Sequence, residues 1–340
     1  MAALNPKRAR ILMGGLIAAG LVFTVLVLAL DEDGRHGFPA GVRLPVQTAE
    51  GASWSPDGRW IAIPNRSGVL LRDPDGERNR QLRAPRTPRY MGRIPGRIGW
   101  SRDGQRLRYV TTVGPADGKG AWVTEVPSDG GPARQVALGM NVDSADWGAR
   151  GWQLVYASAP RAALWSLTRI DGTPEKILDL PGQEARPELS PDGTRIVFAL
   201  KRAKLAPELW IARADGSAAR RLAGPFRGLR YRWAPNGRSV AIVAARPETV
   251  DPYGIYLASA RSGHLRAVGD ERGVFGDPAW TPGGRWITYA TYDGEIEKIR
   301  PQGGEPERIA SFDGEYVANL LWSPNGKRLA YSSEAPPEYE

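Results

Sequence analysis

The chain has no cysteine among its 340 residues and only two histidines, His36 and His264. Without thiols there is no disulfide, no thiolate metal site, no cysteine nucleophile and no lipidated bacterial N-terminus. Two histidines cannot build a His-rich metal centre, and a His-dependent triad would have to recruit one of them. Neither a metal nor any other cofactor is expected. Acidic residues are missing before Asp31. Helical periodicity of useful length is missing beyond residue 30, which leaves strands as the way to bury apolar surface.

The acid-free start contains a charge-free run from Ile11 to Leu30, preceded by Lys7, Arg8 and Arg10 and followed by Asp31-Glu32-Asp33. Twenty helical residues span about 30 Å, the thickness of a bilayer's hydrocarbon core. The basic flank predicts a cytoplasmic N-terminus with the remainder outside, in the periplasm or the extracellular space. Val27-Leu28-Ala29 offers small residues for a signal peptidase, but the apolar run continues through that point, so the span length favours a retained anchor. With the three leading cations set aside, the remaining 43 basic and 37 acidic residues leave a mild positive excess, the signature of a solvated basic surface. An outside location argues against a nucleic-acid partner.

What is abundant is glycine (41) and proline (29), with no collagen-like period. Many tight turns imply many short strands. The stretch WSPDGRWIAI, Trp54 to Ile63, returns near the other end as WSPNGKRLAY, Trp322 to Tyr331. Five related copies lie between them, with anchors at Trp100, Trp147, Leu189, Trp233 and Trp280, and each of the seven has glycine four residues after its anchor, from Gly58 to Gly326. Pro-Asp-Gly and Pro-Asn-Gly supply a turn, and alternating apolar residues such as Ile61 and Ile63 follow at strand period. A third strand (GVLLRDPDG, ELWIARADG) and a fourth (RQLRA, RRLAG) complete most units.

Four short strands in units of about 42 to 47 residues mark a β-propeller blade. The twelve tryptophans all fall on this grid, as anchors, at the start of second strands (Trp60, Trp152, Trp286) or in third strands (Trp122, Trp165, Trp210), so they are read as packing between blades. The last copy stops after two strands, while Val42–Thr48 has no blade of its own and resembles the fourth strands. A ring must seal its edges, so this N-terminal strand is expected to complete the seventh blade, which holds three or four strands. The predicted architecture is all-β, a seven-bladed β-propeller preceded by a single transmembrane helix. Residues 1–10 form a basic tail, 11–30 the span, 31–41 a linker, 42–333 the propeller and 334–340 a tail.

The W-S-P-D-G-x-x-[IL] copies with their following D-G turns resemble the WD-like repeat of TolB-type propellers, over about residues 42 to 333. The resemblance implies the fold, and fold by itself does not fix function. The chain departs from TolB itself, which has a small α/β domain, six blades and no membrane anchor. The same repeat precedes the hydrolase domain of prolyl-oligopeptidase-like peptidases, but the G-x-S-x-G elbow of that domain does not occur here.

The side chains of Asp57, Asp192, Asn236 and Asn325 sit inside the turn sequences and are expected to bond their own backbone. More informative is the residue three before each anchor: Gly51, Arg97, Ser144, Arg186, Arg230, Asp277 and Asn319. This residue is expected to open the innermost strand at the mouth of the central channel, where equivalent positions of all blades converge. Nearby connections are basic as well, in APRTPRYMGR from Ala84, in LKRAKLAP from Leu200, and at Arg66, Arg161 and Arg246. A low-dielectric funnel lined by guanidiniums attracts carboxylates. The site is therefore assigned to Arg97, Arg186, Arg230, Asp277 and Asn319. The partner is expected to be an envelope protein or peptide with an acidic segment, bound by a monomeric, membrane-tethered, non-enzymatic propeller. The alternative is a propeller lyase or hydrolase acting on an envelope glycan or small ester, using carboxylates such as Glu50, Asp143 and Asp277.

Overall fold

A computed structural model describes residues 40–334 apart from 45–50, 66–67, 84–93, 95, 113–119, 149–152, 160–162, 183–185, 203, 248–252, 270–272 and 313–314. The expected span over 11–30, the linker up to residue 39 and the C-terminal tail from residue 335 lie outside the described residues. The strands form seven sheets, six of four strands and one of three. Blades 1 to 6 run Ser53–Leu82, Gly99–Ala137, Asn141–Asp179, Glu188–Ala223, Arg227–Ala267 and Val274–Ser311. Within each, strands follow one another outward in chain order and pair antiparallel.

The repeated turn forms for the reason its sequence suggests. In six copies the conserved glycine has a left-handed φ between +64° and +70°, which a side chain resists. Its N–H donates back to the residue after the anchor, as Gly58 does to Ser55 at 2.9 Å and Gly326 to Ser323 at 2.8 Å. Asp57 and Asp192 each accept the hydroxyl two residues earlier and the N–H two residues later. Asn236 and Asn325 accept the following N–H in the same way. The Ser190 hydroxyl, with the Thr194 backbone and hydroxyl, holds Asp192 down to about 2 despite the opposing effect of burial. These acids and amides thus serve the turns, as expected.

Seven apolar clusters fill the wedges, each built from two adjacent blades. The anchor tryptophans tie neighbours polarly as well, their indole N–H groups reaching into the preceding blade. Trp233 Nε1 donates to the Glu188 carbonyl at 3.0 Å, Trp280 to Arg232 at 3.2 Å, and Trp54 closes the ring onto Leu321 at 3.0 Å.

The closing blade corrects one expectation. Its N-terminal strand begins at Ala40, two residues before the expected Val42 and inside the expected linker. It runs to Leu44 among the described residues, with 45–48 outside them, and is the third of three strands, one of the two numbers expected. It lies parallel to Arg328–Glu334, with Ala40 beside Arg328 and Leu44 beside Ser332. The physical reason lies in strand direction. Second and fourth strands of a blade run the same way, and the fourth leads across the channel-mouth face into the next blade. The N-terminal strand has that direction and that role. With no third strand between them, it pairs directly with the second strand, and the pairing must be parallel. The chain therefore enters the propeller at Ala40 on the face of the W-S-P-N-G turns, opposite the face where the inner strands begin.

One residue type breaks the packing rule. The position two after the first apolar residue of each second strand holds Ile63, Tyr109, Tyr156, Phe198, Ile242, Tyr289 and Tyr331. Tyr156 is fully buried, and its hydroxyl has no hydrogen-bond partner among the described residues. Blade 4 uses Phe198 at the same place. Tyr156→Phe is therefore expected to raise the unfolding free energy by about 1 kcal/mol, the penalty of an unsatisfied buried hydroxyl. Urea denaturation of the two proteins measures this directly, and a destabilised phenylalanine variant would refute it.

Candidate functional site in the central channel

The inner strands of blades 3, 5, 6 and 7 are seven residues long: Asn141–Trp147, Arg227–Trp233, Val274–Trp280 and Tyr316–Trp322. The residue three before the anchor thus lies in mid-strand, not at its start as the sequence suggested. In each of these four strands the pairing slips around this position, between Val142 and Ser144, Arg227 and Arg230, Phe275 and Ala279, and Ala318 and Leu321. A bulge releases the backbone from the ladder and re-aims its side chain. Asn319 adopts a left-handed φ of +55° there.

Four of the five assigned residues meet in one network. Arg97 of blade 2 reaches Asp146 of blade 3 at 3.5 Å and Glu188 of blade 4 at 3.3 Å. Arg186, which leads into blade 4, crosses to Asp277 of blade 6 at 3.6 Å, and Arg230 of blade 5 approaches the same carboxylate at 3.8 Å. Asn319 does not join them; its amide donates to Ser332 Oγ of its own blade at 2.9 Å. Among the other basic residues, Arg202 pairs with Glu208 at 3.7 Å and lies over Trp210, and Arg246 lies over Tyr256. Those two cations are thus used within their own blades. Arg66, Arg161 and the segment 84–93 lie outside the described residues, as does Glu50. Asp143 is exposed in the bulge of blade 3.

The network includes three residues that the sequence reading missed: Asp146, Glu188 and Arg232. Each is the residue immediately before its anchor. A strand alternates faces with period two, so positions one and three before the anchor share a face. That periodicity was available in the sequence and identifies the second ring. Asp146 also accepts the Leu189 N–H at 2.9 Å, and Glu188 accepts the Trp233 N–H at 3.2 Å, each from the next blade. Arg232 donates to Asp277 at 3.2 Å and lies 3.8 Å from Glu188.

Four guanidiniums thus face three carboxylates across blades 2 to 6. The blade 7 and blade 1 positions, Asn319, Leu321, Gly51 and Ser53, carry no charge. Burial pushes the Glu188 carboxyl above its usual range, against the pull of Arg232 and Arg97. Burial also raises Asp277, but Arg232, Arg186, Arg230 and Arg97 outweigh it and hold this carboxyl below its usual range. Burial would release the Arg97 proton more easily, yet Asp146, Glu188 and Asp277 together hold it more firmly than usual. Asp277 is the hub, since all four guanidiniums act on it.

Chemically, the arrangement is a preorganised set of cationic donors with donors to spare. Arg186 and Arg230 approach Asp277 only at 3.6 and 3.8 Å, longer than a hydrogen bond, and remain 41% and 49% accessible. Among the described residues no group of three or more His, Cys, Asp and Glu side chains has the geometry to hold a metal ion.

No known family profile matches the chain. It is 24% identical over 259 residues to the uncharacterised protein Atu1656 of Agrobacterium fabrum, covering 72% of this chain and 84% of that one. It is 26% identical over 155 residues to the uncharacterised peptidase YuxL of Bacillus subtilis, an alignment that covers 44% of this chain and spans only 23% of the relative. Among solved structures it resembles a TolB protein from Agrobacterium tumefaciens, with TM-score 0.52, 18% identity and coverage of 85% of this chain and 90% of the other. It also resembles the oligogalacturonate lyase of Vibrio parahaemolyticus, with TM-score 0.61, 14% identity and coverage of 95% and 100%. At these identities the shared property is architecture, and the chain is a β-propeller with the TolB-like fold.

Proposed function

We propose that this protein is a binding module, a propeller whose central channel receives an acidic segment of a protein or peptide of the cell envelope. The observation that carries this reading is the excess of guanidinium over carboxylate at Asp277. Arg186 and Arg230 lie near an acid without being saturated by it, in a narrow space where charge is poorly screened. A ligand carboxylate entering from the mouth would find donors already held in place, so little side-chain entropy is lost on binding. The direction of the first strand supports a tethered arrangement. If Ile11–Leu30 sits in a bilayer, the chain leads from it to Ala40 on the turn face, and the channel mouth then points away from the membrane.

The test is a titration of the full chain, in mild detergent, with dye-labelled octaglutamate followed by fluorescence anisotropy. Replacing Arg186 and Arg230 together with alanine is expected to weaken binding at least tenfold and to flatten its salt dependence. Asp277 keeps Arg232 in that variant, so the melting temperature serves as a control for folding. Unchanged binding, or equal binding of octalysine, would place the ligand elsewhere.

A second reading, an envelope-glycan lyase or hydrolase, is favoured by the likeness to oligogalacturonate lyase together with the same guanidiniums, which suit sugar carboxylates. Formation of an unsaturated product from oligogalacturonate, read by ultraviolet absorbance, would establish it in place of the first.

A further inference from the structure

The channel mouth carries a second feature that the arginine network does not use. Four aromatic rings gather on the mouth face over blades 5 to 7. Phe275 lies 5.5 Å from Tyr292 and 5.9 Å from Tyr316, ring centre to ring centre, in tilted arrangements. Tyr253 joins them on the blade 5 side: its carbonyl accepts the Val274 N–H at 3.1 Å. Its ring lies so close to Gly228 that a methyl group there would sit 2.2 Å from the phenolic oxygen. Burial raises the Tyr292 phenol, with smaller contributions from Tyr253 and Tyr316. Tyr292 is nonetheless 45% exposed, one of two large apolar side chains so exposed among the described residues.

This pad is contiguous in the backbone with the charge network. Phe275 precedes Asp277 by two residues in one inner strand, and Gly228, under the Tyr253 ring, precedes Arg230 by two in the next. Both pairs span the bulges, where Gly276 and Gly228 have left-handed φ of +75° and +58°, so the backbone separates pad and charges by at most roughly 7 Å. Side chains up to two residues apart on a peptide can bridge that distance. Tyrosine presents a broad apolar face with a polar tip at low entropic cost, the character of an interface anchor.

We propose that Tyr253, Phe275, Tyr292 and Tyr316 form a second subsite that takes an apolar or aromatic side chain of the acidic segment, two residues from the carboxylate held by Arg186 and Arg230. The proposal rests on the binding-module reading and gives it a sequence preference: an aromatic, any residue, then an acid, in extended conformation. Charge complementarity at the adjoining guanidiniums selects an acidic peptide rather than a neutral apolar one.

The experiment uses the full chain in detergent and three dye-labelled peptides of equal length and charge. One has phenylalanine two residues before its glutamates, one has serine in that place, and one has the phenylalanine moved to the far end. The first is expected to bind about tenfold more tightly than the other two, the worth of a half-buried ring. Tyr292→Ser, at an exposed position, should erase that advantage while leaving the serine peptide unaffected and the melting temperature unchanged. If Tyr292→Ser weakens all three peptides equally or none of them, the pad is not a subsite, even if acid binding persists. If the arginine double variant changes nothing while the phenylalanine advantage remains, the channel reading fails and the pad stands. If no peptide binds but oligogalacturonate does, in a Tyr292-dependent way, the pad takes a sugar ring and the peptide proposal is overturned.

Discussion

Leu44→Ala should lower the unfolding free energy by about 3 kcal/mol, and a Val42→Asp, Leu44→Asp double variant should fail to accumulate as a folded monomer. Both side chains are 2% exposed and pack on Ala52, Trp54, Ile61 and Ile63 of the first blade. Truncating a fully buried leucine removes its transfer energy and leaves a cavity, which costs about 2–5 kcal/mol. Burying two unpaired carboxylates at the seam costs far more than a domain's total margin can absorb. This strand matters more than any other because its parallel ladder with Arg328–Glu334 is the one place where the ring is not held by a continuous chain. Without the strand, Arg328–Glu334 presents an open edge to other molecules. Urea denaturation and size-exclusion chromatography decide the matter. A Leu44→Ala variant within 1 kcal/mol of the parent, or a monomeric and cooperative double variant, would mean that the ring closes by other means.

The second large effect is expected at Glu188. Glu188→Ala removes the carboxylate that accepts the Trp233 N–H and faces Arg97 and Arg232. Breaking a buried pair from one side costs about 3–5 kcal/mol. Arg97, 36% accessible in the channel, recovers part of this from water, so a loss of about 2–3 kcal/mol is expected. Glu188→Gln keeps an acceptor for the N–H and should lose only about 1 kcal/mol. The pH dependence separates charge from packing. The folded protein holds the Glu188 proton above the ordinary 4.5, so ionising this carboxyl subtracts stability as pH rises through that range. Asp277 has the opposite sign: its carboxyl is depressed in the fold, and its contribution is present above the ordinary value of 3.8 and is lost as pH falls. Glu188→Gln should therefore remove a downward slope that sets in above the ordinary carboxyl value of 4.5, while leaving the acid-side loss in place. Equal slopes in the two proteins would assign no net titration to Glu188.

The fold was legible because the turn chemistry is local. Gly58, Gly104 and their equivalents require positive φ wherever the hairpin closes, and the residues before them supply the hydrogen bonds within a few positions. Seven such turns with strand-period apolar residues after each leave few architectures other than a ring. The N-terminal strand was legible as a piece of the last blade but not in its start or its parallel pairing. Position within a blade depends on which partner edge is free, and that is settled only when the ends meet. The channel was half legible. Arg97, Arg186, Arg230 and Asp277 appear at one spacing, but their partners Asp146, Glu188 and Arg232 belong to the next position on the same face and to other blades. Nothing in a linear spacing states that Arg97 reaches two blades onward to Glu188, or that Arg186 crosses to Asp277.

The amino-acid sequence by itself determined the number of blades, the hairpin at the heart of each and the tryptophan grid between them, because those depend on contacts a few residues apart repeated at a fixed period. The tertiary structure alone decided that the first strand runs parallel in the third place. It alone set four guanidiniums against three carboxylates around one hub, and gathered Tyr253, Phe275, Tyr292 and Tyr316 beside them. These are contacts between residues tens to hundreds apart, made only when the ring closes and brings its inner strands to a common axis.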